Sequence, residues 1–250
     1  MGLKFWHQSV NELSRIEAYK RGIEAHAQAF LGNEAEVHVK GMPEGTYGAQ
    51  SPSDALGNAY LYHRVLSPIV EQAVEAERQG YDAFVMGSFS EPYLREMRTA
   101  VDIPVVSLTE AALLTGCALG GQIGFISNAP NVAFMTRLSV AKHHLEARVL
   151  DITALSPGMD EYELISARDE PSSLVEAFKA TARVLIDRGA EVIVPAEGVM
   201  AEILAREGLK RIDGATVIDV FAAAWSQALG LVRMRKAGMG TSRAWLYSRG

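Results

Sequence analysis

Short apolar runs alternate with longer amphipathic stretches along the whole chain, and this alternation constrains the fold more than any other feature of the sequence. Short apolar runs are typical of buried strands, and long amphipathic stretches are typical of helices packed on one face. Strands joined by such helices form βαβ crossovers, which need parallel sheets. The sequence therefore predicts an α/β fold. The predicted strands are residues 3–7, 36–40, 83–86, 105–108, 122–127, 147–151, 192–195 and 216–218, and the predicted helices span about residues 10–31, 56–79, 92–100, 109–119, 131–145, 171–188, 198–207 and 219–236.

The chain also contains an internal repeat. The segment RQGYDAFVMGSF aligns without gaps on DRGAEVIVPAEG, and each contains a helix end, a capping glycine, a buried strand and a turn. Neighbouring segments pair in the same order, which predicts two copies of a four-stranded βαβαβαβ unit. The paired segments are 78–89 with 187–198, 101–112 with 212–224 and, more loosely, 3–9 with 123–129.

The repeat predicts two α/β lobes related by a pseudo-twofold axis. The first lobe comprises residues 1–112 together with about 225–250, and the second comprises residues 113–224. Each lobe is predicted to hold a four-stranded parallel sheet with flanking helices. Ligands of open parallel sheets bind beyond the carboxyl ends of the strands, so we expect the active site between the lobes.

The composition argues against several classes of protein. Lys and Arg number 24 and Asp and Glu number 30, which gives a net charge of -6. Proteins that neutralise many phosphates are normally basic, so we expect no nucleic-acid partner. The N-terminal segment turns polar early and has no apolar signal core, and no stretch is long and uninterrupted enough to cross a bilayer. We therefore expect a cytoplasmic protein with no membrane partner.

The single cysteine, Cys117, cannot form an intrachain disulfide, and no Cys/His cluster has the spacing of a zinc site. Cys117 lies in an apolar helical pattern and is predicted to be a small buried thiol. The glycines at 120–124 precede a predicted strand, whereas a dinucleotide site needs them between strand and helix. We expect no metal and no cofactor.

Ser88 and Glu197 occupy equivalent positions of the repeat, each just after the third strand of its copy. If the lobes face each other, the two side chains meet across one cleft. Each also has a structural explanation, because Ser88 can cap the helix predicted near Pro92 and Glu197 can be a first-turn charge favoured by the helix dipole. The apolar run before Glu197 predicts its burial, and burial raises the pKa of a carboxyl group into a range that suits proton transfer.

Two segments that carry these residues resemble motifs of hydantoin and allantoin racemases, within the aspartate/glutamate racemase superfamily. GSFSEPYLREMR resembles the family motif Gly-Cys-Phe-Gly/Ser-Asp-Pro, and VIVPAEGVM resembles the motif in which Gly-Cys-Ala-Gly-Met follows an apolar strand. FWHQSVNEL and VDIPVVSLTEAAL also resemble the family, so the resemblance covers nearly the whole chain. It implies two flavodoxin-like lobes, an active site between them, two opposed cysteines as acid and base, and a homo-oligomer.

The sequence departs from the family where the chemistry takes place. Ser88 and Glu197 stand at the positions of the two catalytic cysteines, and Cys117 replaces neither, so a two-thiol mechanism is not available. Glu197 can act as a general base, whereas Ser88 can donate a hydrogen bond or become a nucleophile if it is activated. Arylmalonate decarboxylases and maleate isomerases resemble this family and indicate that its fold supports other reactions.

Three functions are open at this point. The first is a racemase- or isomerase-like enzyme on a small carboxylate or a hydantoin- or amide-type substrate, with Glu197 as general base. The second is a hydrolase or decarboxylase that uses Ser88 and Glu197 in the same cleft. The third is a non-catalytic protein that binds a small anion, because helix N-termini around the cleft are expected to present backbone N–H groups.

Further residues are candidates for substrate binding. Gln8 and Ser9 match a strand-end position that contacts the substrate in the family. Tyr47 lies in the glycine-rich segment 41–54, which is predicted to be a lid over a ligand or an exposed loop. The other candidates, which follow strands, are Phe89, Ser90, Thr109, Gly198 and Val199.

Other polar residues are assigned structural roles. Glu91 with Pro92 is predicted to open a helix, and His143 with His144 to lie on a solvated surface. The C-terminal aromatic residues at 245–247 are predicted to dock against the body of the protein or against a second subunit.

Overall fold

The first part of the chain forms a parallel sheet, as the alternation of strands and helices predicts. The structure, a computed structural model, describes residues 2–242. The first strands are β1 (Leu3–Ser9), β2 (Ala35–Lys40), β3 (Ala83–Gly87) and β4 (Val105–Ser107). They pair in parallel in the order β2-β1-β3-β4. The helices between them are α1 (Glu17–Leu31), α2 (Pro52–Leu56), α3 (Ala59–Leu66), α4 (Ile69–Arg78) and α5 (Leu94–Ala100).

A second sheet follows, and it has one strand more than predicted. Helix α6 (Leu108–Leu119) connects the sheets and contacts strands of both. The strands of this part are β5 (Ile123–Ser127), β6 (Val149–Ala154), β7 (Val192–Pro195), β8 (Arg211–Ile212) and β9 (Ala215–Val217), and the helices are α7 (Pro130–Lys142), α8 (Glu161–Ser166), α9 (Ser172–Asp187), α10 (Gly198–Arg206) and α11 (Val220–Lys236). The strand order is β6-β5-β7-β9-β8, and only the edge strand β8 is antiparallel.

The strand order repeats from one sheet to the other, as the internal repeat predicts. In each copy the first strand lies between the second and the third, and the fourth strand lies beside the third. This is a flavodoxin-like arrangement. The capping glycines of the aligned segments, Gly80 and Gly189, have φ of +75° and +106°. Glycine adopts such angles without a steric penalty, which explains why both copies end this helix with the same residue type.

Some local predictions of secondary structure were wrong. The single helix expected over 56–79 is instead two helices, α3 and α4, and the preceding α2 ends at Leu56. The side chain of Asn58 caps a new helix, and Pro68 lacks the N–H that a continuous helix needs. The strand β8 was not expected, since it is only two residues long. It forms a hairpin with β9 through Asp213 and Gly214, both of which have positive φ, a typical hairpin turn.

The core places the ends of the two sheets close to each other. Strands β1, β3, β5 and β7 are central in their sheets and mostly buried, and one continuous hydrophobic cluster includes side chains from both sheets. Helix α11 packs on β3 and β4 of the first sheet and against α6, with Trp225 fully buried. The lobe boundary at residue 112 falls inside α6 and stays a prediction.

Two further expectations concern the periphery of the molecule. Over residues 2–242, none of the helices is both long and apolar enough for a membrane span. The aromatic residues at 245–247 lie outside the part of the chain that the structure describes, so their docking stays a prediction.

We expect Gly87→Ala to destabilise the protein, because the end of β3 is closely packed against β1. A Cβ atom at position 87 would lie 2.4 Å from His7 Nε2 and 3.0 Å from the Gln8 carbonyl oxygen. His7 is fully buried and cannot move outward, so the overpacking is expected to lower the free energy of unfolding by about 1–3 kcal/mol. Urea unfolding of the wild type and the variant measures this difference.

Gly230→Ala is the matched control. A Cβ atom at position 230, in α11, meets no atom within 4 Å. Alanine is a better helix former than glycine, so the control is expected to be neutral or up to about 1 kcal/mol more stable. Equal stability of the Gly87→Ala protein and the wild type would contradict the close packing of the two strands.

Candidate active site

A cleft lies at the carboxyl ends of β1, β3 and β7, where parallel sheets are expected to bind ligands. Its volume is about 580 Å³ when the open mouth is included. Residues from both halves of the chain line it, and the lining combines apolar side chains with two carboxylates. The lining residues are Val10, Asn11, Tyr19, Ser53, Leu56, Gly87, Ser88, Phe89, Ser90, Asn131, Val132, Met135, Glu161, Ala196, Glu197 and Gly198.

Glu197 is held in this cleft by the helix that follows it. Its Oε1 accepts a hydrogen bond of 2.9 Å from the Val199 N–H, and its Oε2 accepts one of 2.6 Å from the Met200 N–H. The carboxylate is therefore the N-terminal cap of α10. Only 6% of the residue is exposed. Burial and the nearby Glu161 carboxylate raise the pKa of Glu197 to about 8, although the backbone hydrogen bonds oppose this rise.

Ser88 lines the same cleft from the first sheet. It is half-buried, and its Oγ lies 3.0 Å from Ser90 Oγ and accepts a hydrogen bond of 3.3 Å from the Ser90 N–H. Ser88 does not cap the next helix, because α5 begins only at Leu94 and Tyr93 occupies the cap position. The cleft thus brings together Ser88 and Glu197, the two residues that the repeat made equivalent.

The sequence analysis missed a second carboxylate in the cleft, Glu161. It begins the short helix α8, which was not predicted, and 6% of it is exposed. The Ser53 hydroxyl donates a very short hydrogen bond to Glu161 Oε1. Burial raises the pKa of Glu161, and the hydrogen bonds from Ser53 partly offset the rise. A local signal was available, since Asp160 and Glu163 form a capping box that marks a helix start.

Two more polar residues of the lining were not singled out from the sequence. Tyr19, from α1, is buried, and burial and the Glu197 carboxylate raise the pKa of its hydroxyl, which therefore stays neutral. Asn11 is 5% exposed, and its Oδ1 has no hydrogen-bond partner among the described residues. A buried amide oxygen without a partner is costly, unless a ligand or water supplies a donor.

The predicted substrate-binding residues fall into two groups. Phe89, Ser90 and Gly198 line the cleft. The others are not part of the lining, and each forms a hydrogen bond near it. The Gln8 amide donates to the Ser9 carbonyl, and the Thr109 hydroxyl donates to the Phe89 carbonyl. The remaining members of this second group are Ser9, Tyr47 and Val199.

Tyr47 takes a place that its sequence context did not indicate. It is buried, its hydroxyl donates a hydrogen bond of 2.6 Å to the Val10 carbonyl, and its N–H donates to Glu12. The glycine-rich segment therefore lies against the strand end after β1. The end of this segment contributes to the cleft through Ser53, whose carbonyl accepts a hydrogen bond of 2.9 Å from the Asn131 amide.

Several backbone N–H groups expected to face an anion are already bonded. Glu197 occupies those at the N-terminus of α10, Ser9 Oγ accepts the Asn11 N–H, and Ser88 Oγ accepts the Ser90 N–H. Among residues 2–242, the lining also contains no Lys, Arg or His side chain. The cleft consequently has acidic rather than basic character.

Glu91 and His143 depart from the roles predicted for them. Glu91 is 1% exposed and does not open a helix, and His143 is half-buried instead of solvated. His143 Nε2 lies 2.8 Å from Glu91 Oε2, and the Ser107 hydroxyl also bonds to Glu91. This contact joins the end of α7 to the loop that carries Ser88. Periodicity could not reveal it, because the two residues are far apart in sequence.

Comparison with known proteins establishes the family. The sequence model of the Asp/Glu/Hydantoin racemase family matches residues 17–228. The chain belongs to the Asp/Glu/Hydantoin racemase family. Members of this family are racemase- and isomerase-type enzymes acting on small molecules, and the protein is a racemase-like enzyme of this kind. Within residues 2–242 no group of three His, Cys, Asp or Glu side chains is arranged to hold a metal ion.

Relatives from the family match the chain over most of its length. The hydantoin racemase of Pseudomonas sp. (strain NS671) is 24% identical over 219 residues, which cover 88% of this chain and 83% of the relative. The hydantoin racemase of Rhizobium meliloti is 27% identical over 230 residues, which cover 90% of this chain and 88% of the relative. The structure of allantoin racemase from Klebsiella pneumoniae has a TM-score of 0.79 at 20% identity and covers 99% of this chain and 95% of that one. These likenesses agree with the two-lobed fold.

The contact between His143 and Glu91 predicts a pH-dependent contribution to stability. The carboxylates of Glu91 and Glu110 raise the pKa of His143 above its ordinary value, although burial opposes the rise. A raised pKa in the folded state means that the stabilisation is fully present below about pH 6.5 and is lost as pH rises through the folded value. His143→Asn is expected to lower the free energy of unfolding by about 1–3 kcal/mol at low pH and by less at high pH.

His144→Asn is the control, because His144 is exposed and its φ of +55° suits asparagine. Urea unfolding between pH 5.5 and 8.5 measures both differences relative to the wild type. A His143→Asn difference that does not change with pH would contradict the ion pair.

Proposed function

We propose that the protein racemises a small uncharged substrate of the hydantoin or cyclic amide type by proton transfer at the carbon next to a carbonyl group, with Glu197 as the general base. The observation that carries this proposal is the composition of the cleft. Two buried carboxylates and an amide oxygen without a partner stand among apolar side chains, and no basic side chain of the described part of the chain belongs to the lining.

The charge of the cleft favours a neutral substrate over a carboxylate. A substrate carboxylate needs an Arg, a Lys or free N–H groups, whereas this lining offers Glu161 and Glu197. A ring with N–H groups can instead donate to the free Oδ1 of Asn11, and an apolar substituent can contact Leu56, Val132 or Met135. The names of the relatives, hydantoin racemase and allantoin racemase, agree with this substrate class.

The environment of Glu197 supports its role as the base. Its pKa of about 8 places the carboxylate close to the range in which a base is efficient near neutral pH. When it acts, the bond from the carbon to hydrogen breaks, the proton goes to Glu197, and the electron pair moves onto the substrate carbonyl. Return of a proton to the opposite face gives the other enantiomer. Ser88, from the other half of the chain, is the candidate donor. Solvent at the mouth of the cleft resupplies the proton of Ser88 and takes up the proton that Glu197 has gained.

The alternative in which Ser88 is a nucleophile has weaker support. An attacking serine needs a base within hydrogen-bonding distance, whereas the hydrogen bonds of Ser88 Oγ to described residues are with Ser90 alone. The hydroxyl of Ser90 has no basic character. We therefore assign Ser88 a hydrogen-bonding or proton-donating role.

We expect Glu197→Gln to lower the rate of exchange at the substrate carbon by about 100- to 10,000-fold, because the amide cannot accept the proton. A panel of chiral 5-substituted hydantoins in D2O, followed by NMR, measures deuterium incorporation against an enzyme-free blank. For the wild type, kcat/KM is expected to rise with pH through about 8 and then level off, since the base is active only when ionised.

Glu207→Gln is the matched control, since it makes the same change at the exposed other end of α10. Wild-type exchange by the Glu197→Gln protein would exclude Glu197 as the base. Loss of exchange with unchanged affinity for the substrate would exclude a protein that only binds.

The Ser88→Ala variant distinguishes proton removal by Glu197 on one face of the substrate carbon from proton delivery by Ser88 on the opposite face. If Ser88 delivers the proton, the variant is expected to lose racemisation by about 100-fold or more, but to exchange deuterium with retention of configuration at the face of Glu197. Chiral chromatography and mass spectrometry of the same samples measure both. Racemisation at the wild-type rate would exclude Ser88 as the donor, and hydrolysed product that disappears in the variant would favour the nucleophile.

A further inference from the structure

The carboxylates of Glu161 and Glu197 are buried in one cleft, and neither has a basic partner among the residues that the structure describes. Each residue is 6% exposed, each lines the cleft, and the helices that carry them, α8 and α10, pack against each other. The proposed function uses Glu197 and leaves Glu161 without a role. A buried carboxylate that has no structural ion pair calls for an explanation.

The groups around the pair do not supply a positive charge. Tyr19 from α1 and Tyr47 from the segment before α2 face the two carboxylates, and the acidic residue Asp160 lies next to Glu161. Burial holds the pKa of both tyrosine hydroxyls above the ordinary value, so they stay neutral. On the α10 side, the Arg168 guanidinium donates hydrogen bonds of 2.9 and 3.0 Å to Glu202.

Two like charges in such a cleft repel each other strongly. Water screens them little because both are buried, and no cation offsets the repulsion. One of the two carboxyl groups must therefore keep a proton under conditions in which isolated carboxyl groups have lost theirs. The aspartic-protease dyad is a general example of this behaviour.

We propose that Glu161 and Glu197 form one electrostatically coupled pair, in which Glu161 is the positioning residue that sets the pH range over which Glu197 accepts a proton from the substrate. This inference rests on the proposed function for its catalytic consequence, although the coupling itself does not. The hydroxyl and the N–H of Ser53 hold Glu161 in place, which ties the pair to α2 at the edge of the cleft. Glu161→Gln removes the repulsion, so Glu197 loses its proton more easily.

The test follows carboxyl titration in the substrate-free protein. Glutamate labelled with 13C at the side-chain carboxyl carbon is incorporated, and the Glu197 resonance is assigned from its absence in the Glu197→Gln protein. In the wild type this resonance is expected to titrate near pH 8. In Glu161→Gln it is expected to titrate about one pH unit lower or more. The rising limb of the pH profile of kcat/KM is expected to move to lower pH by the same amount.

The control is Glu163→Gln, an exposed residue of the same helix, which should leave the Glu197 titration unchanged. Glu161→Asp keeps the negative charge. Its pH profile of kcat/KM is expected to rise over nearly the same pH range as that of the wild type. An unmoved Glu197 titration in Glu161→Gln overturns the proposal. A moved titration, together with wild-type exchange by Glu197→Gln, leaves the pair intact and overturns the proposed function instead.

If the Glu161→Gln protein does not fold, the carboxyl titrations of Glu161 and Glu197 in the wild type test the coupling instead. Two coupled groups titrate in two macroscopic steps that both resonances share. Titration curves in which both carboxyl resonances show the same two steps support the coupled pair. Two independent curves, each with a single step, overturn the proposal.

Discussion

The capping of α10 by the Glu197 carboxylate is the interaction on which the active site depends. The helix leaves N–H groups without partners at its first turn, and Glu197 satisfies those of Val199 and Met200. The same bonds fix the carboxylate at the end of β7, inside the cleft. The side chain that caps the helix is therefore also the one that we propose as the base. Because the helix N-terminus favours the ionised form and burial opposes it, the group is balanced between two protonation states.

This arrangement also explains why the cleft does not resemble an anion site. In many α/β proteins the helix N-termini beyond the sheet remain free to bind a phosphate or carboxylate. Here side chains of the protein take several of these donors: Glu197 on α10, Ser9 near β1 and Ser88 near β3. Occupied donors and two acidic groups together favour a substrate that brings its own N–H groups. The unpartnered amide oxygen of Asn11 is consistent with the same preference.

Much of the fold could be predicted from local patterns. Strand and helix periodicity, the aligned glycines Gly80 and Gly189, and the repeat predicted both parallel sheets and their common strand order. The errors came from elements whose signals are short. The two residues of β8 are too few to show periodicity, and the helix over 56–79 was predicted as continuous because apolar spacing persists across Pro68, where the backbone itself cannot continue.

The sequence by itself determined the α/β class, the duplication, the family resemblance and the equivalent positions of Ser88 and Glu197, because each of these is encoded in local pattern or in aligned position. Only the tertiary structure decided which other groups meet them. Glu161, Asn11 and Tyr19 come from separate elements, and His143 reaches Glu91 from a distant helix. Contacts of this kind, and the burial that raises the pKa of Glu197, arise from packing between segments that no local pattern relates. The residues of the site were therefore partly readable from the sequence, whereas its electrostatics were not.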